Sequence, residues 1–232
     1  MAQTIGKIDA VLFDLDGTLV DTAPDMVAVL NQMRLAHGAG PLPYEEARAN
    51  VSNGAVALLR LAFPEIPESD IGPLHGEYLE RYEGSVCVKS SVFPDIPELL
   101  DVLDARACPW GVVTNKPQRM TDPLLEALGL SDRLRCAVSG DTLERRKPDP
   151  APLLYACEQC AVQPQRAVYV GDAVRDIEAG RAAGMQTIAA AYGYIVPGDD
   201  PDTWNADAIA ADAKELAQLL LKAVNLNPSI SP

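Results

Sequence analysis

The chain has 232 residues, 48% of them hydrophobic and 22% charged, with a formal net charge of −14. That length suffices for one sizeable core with a small second domain, and the composition is that of an ordinary soluble globular protein. The acidity, without any basic tract, speaks against nucleic acid or an anionic membrane as partner, and no run of about 18 apolar residues offers a spanning helix.

In chain order, a polar leader (1–7) resembles no signal peptide. With five scattered cysteines, it points to a reduced, cytoplasmic protein. Residues 10–13 (Ala-Val-Leu-Phe) then read as a β-strand ending in two carboxylates, Asp14 and Asp16, followed by Gly17 and Thr18. Positions two apart on a strand share a face, so the spacing aims both carboxylates into one pocket beyond the strand end. Two clustered carboxylates repel and are costly to desolvate, so a cation is expected beside them. An acidic turn is the simpler reading of the run taken alone.

From Val20 to Phe93 no buried strand is evident. Helical patterning over 25–36, 44–50, 55–63 and 76–82 is punctuated by Pro41-Leu-Pro43 and Pro64-Glu-Ile-Pro67. This is an inserted helical unit of about seventy residues, within the range of small domains, with hinges near 21–24 and 90–97. Beyond it, strands are expected at 110–114, 136–138, 167–170 and 187–190, with helices at 96–105, 121–128, 152–160 and 176–183. Pro123 and Pro152 suit first turns, and Gly129, Gly180 and Gly184 suit helix ends or tight packing. Strands alternating with helices imply a doubly wound parallel α/β sheet covered on both faces. Cys157-Glu-Gln-Cys160 has CxxC spacing but no second pair or nearby His, so half-buried helix cysteines are expected there. The tail from Asn225 is expected to be disordered.

Open parallel sheets bind ligands beyond the carboxyl ends of their strands. Here those ends carry Asp14, Asp16 and Thr18; then Thr114-Asn115-Lys116; then a loop with Arg145-Arg146-Lys147-Pro148; then Gly171-Asp172-Ala173-Val174-Arg175-Asp176. The set suits phosphoryl transfer, which depends on positioning and electrostatic stabilisation of a dianion. A divalent Mg²⁺ prefers a few carboxylates with water and substrate oxygens. Lys147 supplies a compact cation between nucleophile and phosphoryl oxygens, and Thr114 with the Asn115 amide can hold another oxygen. One carboxylate could form a covalent acyl phosphate while the other moves the proton.

These residues resemble the four motifs of the haloacid dehalogenase superfamily phosphatases. Asp14-Leu-Asp-Gly-Thr18 is similar to the first, Thr114 to the second, Lys147 to the third and Gly171-Asp172-xxx-Asp176 to the fourth. The resemblance implies a Rossmann-like core over 1–20 and 93–232 with an all-α cap over 21–92. It implies Asp14 as nucleophile, Asp16 as general acid/base, and Asp14, Asp172 and the Asp16 carbonyl as Mg²⁺ ligands, with Asp176 behind them. Ala173 stands where many relatives have Ser or Thr, which puts one supporting hydrogen bond in doubt.

Within the resemblance, Ser52-Asn53-Gly54 is similar to a substrate-specificity loop, although turn chemistry before a helix explains the glycine equally well. Arg34, Arg48, Arg60, Arg81 and Lys89 are cap cations that could hold a substrate carboxylate, while His37 and His75 are expected at the surface. The implied substrate is a small phosphorylated metabolite, 2-phosphoglycolate first and N-acetylmuramate 6-phosphate as the alternative, the latter from 110–117 and the run from Tyr192 through Trp204. A phosphomutase and a non-enzymatic phospho-receiver module are the rival readings. The oligomer expected is a monomer or homodimer.

Overall fold

A computed structural model describes residues 5–224. The expected tail from 225 lies outside that range. Among the described residues the main sheet has six strands, all parallel: β1 (Ala10–Phe13), β4 (Trp110–Val113), β5 (Cys136–Val138), β6 (Ala167–Gly171), β7 (Gln186–Ala190) and β8 (Ala208–Ala210). Their order, β5-β4-β1-β6-β7-β8, puts β1 inside the sheet, with the chain running outward first on one side and then on the other. The crevice at such a reversal is where a doubly wound sheet binds its ligand.

Both faces are covered. Val11 and Phe13 of β1 face a core closed by α5 (Ile96–Ala105), α6 (Gln118–Ala127) and α9 (Ala213–Ala223). Ala10 and Leu12 face the opposite core, built from α7 (Ala151–Gln159) and α8 (Val174–Ala182). That period-two alternation with both sides apolar explains why the strand reads as one unbroken hydrophobic run.

Between the ends of a two-stranded antiparallel ribbon, β2 (Val20–Asp21) and β3 (Ser91–Val92), lie α1 (Ala23–Ala36), α2 (Tyr44–Ala49), α3 (Ala55–Ala62) and α4 (Glu68–Glu83). The ribbon joins the two points where the chain leaves and re-enters the sheet region, and it was not anticipated. Asp25, in the first turn of α1, accepts hydrogen bonds from Val88 N, Lys89 N, Ser90 N and Ser90 Oγ at 2.7–2.9 Å, tying both crossings together.

Several expected boundaries shift. Helix α4 starts eight residues before the expected 76, with Pro73 inside it. Its buried residues Ile71, Leu74, Tyr78 and Tyr82 form a helical stripe that packs with α1 and α3, and this outweighs the local breakers. Helix α6 starts at Gln118, so Pro123 lies inside it rather than in its first turn. Gly180 is likewise internal to α8: a Cβ there would come 2.5 Å from Thr187 Cγ2, so the glycine serves close helix–sheet contact. Cys157 and Cys160 are buried rather than half-buried, and Cys160 Sγ lies 4.0 Å from Cys136 Sγ. No helix among the described residues is long and apolar enough to cross a membrane.

Candidate active site

The carboxyl end of β1 delivers Asp14, whose N–H donates to Val170 O of β6 at 2.8 Å. Asp14 Oδ1 accepts from Leu15 N at 2.7 Å and pairs with Lys147 Nζ at 2.8 Å. The same ammonium reaches Asp176 Oδ1 at 2.8 Å and Tyr169 OH at 2.7 Å. All four side chains are buried. Burial pushes the Asp14 carboxyl up to about 6 despite the Lys147 charge, while burial's depressing effect on Lys147 is outweighed by Asp14 and Asp176, so the lysine stays charged.

Three loops complete the rim. Thr114 follows β4 and is buried, its Oγ1 accepting from Lys116 N at 3.1 Å. The Asn115 side chain clasps the Lys147 backbone, donating to Lys147 O and accepting from Lys147 N, each at 3.1 Å. The loop after β6 carries Asp172, whose Oδ2 accepts from Tyr194 N at 2.8 Å and from Ser52 Oγ at 2.6 Å. Ser52 lies in a single 3-10 turn, Val51–Asn53, ended by Gly54 at φ 85°, so the helical insertion touches the rim directly. Ala173 N donates to Asp176 Oδ2 at 3.1 Å, but the Ala173 methyl cannot cap α8 in return.

Whether these residues fit a divalent cation follows from the same geometry. Asp14, Asp172 and Asp176 each offer a carboxylate oxygen within 4.8 Å of the others. Asp172 Oδ1 is buried without a hydrogen-bond partner among the described residues. Burial, with the charges of Asp14 and Asp176, pushes the Asp172 carboxyl up to about 8. Crowded, desolvated carboxylates with an orphan oxygen form a hard donor set suited to a divalent cation.

Two basic groups were not singled out from the sequence. Arg175 of α8 donates to Ser52 O, and its guanidinium stays charged because Asp176, Asp14 and Asp172 outweigh its burial. Lys116 is buried, and its Nζ donates to Asp16 Oδ1 at 2.9 Å and to Tyr82 OH of α4 at 2.9 Å. Asp14 and Asp16 do line one cavity, as the strand periodicity suggests, but each has its own lysine.

That cavity is about 560 Å³ and lies between the strand ends and the helical insertion. Ser52, Asn53, Gly54, Thr114, Asn115 and Lys147 line it. So does His75, which is half-buried rather than at the open surface; its burial, with the nearby Arg119 charge, lowers its pKa. None of the expected substrate cations Arg34, Arg48, Arg60, Arg81 or Lys89 lines it; its arginines are Arg119, Arg146 and Arg175, from α6, the loop between β5 and α7, and α8. Arg60 and Arg81 pair instead with Glu68 and Glu77, and Arg48 stacks on Tyr194. Trp204 is a packing residue beside Ile177 and Ala189.

A family model described as haloacid dehalogenase-like hydrolase matches residues 11–190. An N-acetylmuramic acid 6-phosphate phosphatase from Pseudomonas aeruginosa is 45% identical over 219 residues, covering 94% of this chain and 97% of the relative. A phosphoglycolate phosphatase from Xylella fastidiosa is 45% identical over 199 residues, covering 86% and 87%. Among solved structures, one described as a predicted phosphoglycolate phosphatase from Haemophilus somnus superposes with a TM-score of 0.81. It is 27% identical and covers 92% of this chain and 98% of its own.

Proposed function

The chain belongs to the haloacid dehalogenase-like hydrolases and is a phosphatase, and from that premise we propose a Mg²⁺-dependent phosphomonoesterase working through an aspartyl phosphate on Asp14. Leu15 N and Lys147 occupy Asp14 Oδ1, which leaves the other oxygen to attack phosphorus. The ester P–O bond breaks, and the leaving oxygen takes its electron pair and a proton from Asp16. A water then attacks the acyl phosphate, giving its proton to Asp16 and releasing inorganic phosphate and free Asp14. Lys147 Nζ neutralises a phosphoryl oxygen. The Thr114 hydroxyl, whose oxygen already accepts from Lys116 N, has its proton free to donate to another. Asp14, Asp172 and the Asp16 carbonyl are the residues that would hold Mg²⁺, which supplies charge neutralisation at the phosphoryl group.

For the substrate, the reading best supported is a phosphorylated sugar acid of the N-acetylmuramate 6-phosphate kind. The observation that carries it is the cavity. At about 560 Å³ it falls in the range that takes drug-sized ligands, and a two-carbon acid phosphate would leave most of it to water. Arg146 at its wall offers a cation for a substrate carboxylate, while Arg119, also at the wall, pairs with Glu83 at 3.0 Å. The similarity to the Xylella phosphoglycolate phosphatase favours 2-phosphoglycolate as the second reading.

Phosphate release from the two esters side by side, with and without Mg²⁺, tests both levels. We expect a kcat/KM preference for the muramate ester of about tenfold or more, and no turnover by a folded Asp14→Asn variant. Preference for phosphoglycolate would overturn the substrate assignment, and phosphate release by Asp14→Asn would overturn the nucleophile.

A further inference from the structure

Lys116 is a buried cation to which the steps above give no task. It leaves the end of β4, yet its ammonium is packed among groups from distant parts of the chain. It lies 2.9 Å from Asp16 Oδ1, 2.9 Å from Tyr82 OH and 4.0 Å from Met26 Sδ of α1. The Tyr82 ring lies under it, 4.5 Å from nitrogen to centroid. Only 4% of the lysine side chain is exposed. A desolvated ammonium must keep its partners, so this one has little freedom to move unless Asp16 or Tyr82 moves with it.

Asp16 Oδ1 also accepts from Thr22 Oγ1 at 2.6 Å. Two donors therefore hold one oxygen of the carboxylate, and the other is left for proton transfer in the cavity that Asp16 lines. Lys147 cannot share this task, because it is committed to Asp14, Asp176 and Tyr169. Tyr82 sits in the last turn of α4, in the helical insertion, while Lys116 and Asp16 belong to strand-end loops.

We propose that Lys116 is the positioning residue of Asp16, and that Tyr82 makes this positioning depend on the seating of α4 against the sheet. The proposal rests on the acid/base role assigned above to Asp16. When α4 is seated, Tyr82 and Asp16 share the ammonium and the carboxylate is held for proton transfer. When α4 moves away, the lysine loses one partner and the carboxylate loses its fixed orientation.

The test separates the two chemical steps. The leaving group of 4-nitrophenyl phosphate departs without a proton, so formation of the acyl phosphate from it does not need Asp16. Its hydrolysis still does. Lys116→Met keeps most of the side-chain volume and removes the charge. It should lower steady-state turnover about a hundredfold, in the range of one acid/base group. It should also release a burst of nitrophenolate close to one equivalent of enzyme, with phosphoenzyme detected by intact mass. An alkyl ester such as N-acetylmuramate 6-phosphate should give the same slow turnover with no phosphoenzyme. Tyr82→Phe leaves the charge in place and should show the same burst with a smaller fall in turnover.

Unchanged turnover, or equal slowing on both esters without phosphoenzyme, would overturn the proposal. If Lys116→Met fails to fold, Tyr82→Phe decides: a burst supports the proposal and its absence overturns it. Asp16→Asn distinguishes the underlying reading. If that variant accumulates no phosphoenzyme from the aryl ester, the role of Asp16 has failed rather than the role of Lys116.

Discussion

Replacing Asp25 by alanine should destabilise the protein by about 3–5 kcal/mol while leaving the rim carboxylates untouched. The carboxylate is 3% exposed and accepts from Val88 N, Lys89 N, Ser90 N and Ser90 Oγ. Hydrogen bonds to a charged group contribute about 1.5–3 kcal/mol each, and a buried donor left unpaired costs about 1–3 kcal/mol. Val88 is 71% exposed, so water can replace its lost partner, whereas Ser90 is 8% exposed and would strand its N–H and hydroxyl. Counting Ser90 fully and the 88–89 amides only in part gives the stated range. Asp25→Asn, which keeps one carbonyl oxygen, should lose about half as much.

Urea unfolding followed by circular dichroism measures this. The pH dependence gives a second check. Burial alone would raise the Asp25 carboxyl, but the Lys89, Ser90 and Val88 donors hold it below its ordinary value of 3.8. A depressed carboxylate contributes stability above its unfolded-state value and loses it as pH falls through the folded one. The gap between the native protein and Asp25→Ala should therefore be full at pH 7 and shrink below about pH 4. A loss under about 1 kcal/mol, or a gap that widens in acid, would refute the assignment of Asp25 as the clasp of the two crossings.

Two further outcomes concern the rim. With the Asp172 carboxyl at about 8 and that of Asp14 at about 6, both raised mainly by burial, the metal-free protein loses stability as pH rises through this interval. Mg²⁺ must displace the Asp172 proton, so its affinity should rise about tenfold per pH unit between about 6 and 8. Calorimetric titration in buffers of different ionisation heat reads both the affinity and the released proton, and a flat profile would contradict the arrangement. Gly193→Ala would place a Cβ 2.3 Å from Asp172 Cβ and 2.5 Å from Gly17 O. It should weaken Mg²⁺ binding and activity by about tenfold or more as the two loops part; wild-type titration curves would count against that close approach.

Much of the sheet is legible because β1, β4, β6 and β7 are apolar runs with turn residues at their ends, so burial on both faces and strand length point the same way. The edge is not. Ala208–Ala210 is too short to stand out, and it is anchored by Asp207 Oδ2, which accepts from Thr187 N at 2.8 Å and Thr187 Oγ1 at 3.0 Å. Helix α9 after it was missed as well, although Asp212 caps it by accepting from Glu215 N at 2.7 Å and it buries a stripe of Ala213, Leu216, Leu220 and Ala223. A capping aspartate ahead of an apolar stripe was a usable signal there.

That Asp14, Asp16, Thr114, Lys147, Asp172 and Asp176 come together was legible in the chain, because each lies in a loop that follows a strand or, for Asp176, in the first turn of the helix after one, and a parallel sheet gathers those ends on one side. Partner choice was not. That Lys147 serves Asp14 depends on how the sheet brings the loops after β1 and β5 together, whereas the contact of Lys116 with Tyr82 and that of Ser52 with Asp172 across 120 positions depend on how the helical insertion seats on the strand ends. Those contacts join groups about a hundred residues apart, and local spacing carries no information about them. Parallel pairing of β1, β4 and β6 brings the first set within hydrogen-bonding reach, and the packing of α1, α3 and α4, driven by burial of residues such as Tyr78 and Tyr82, brings the second.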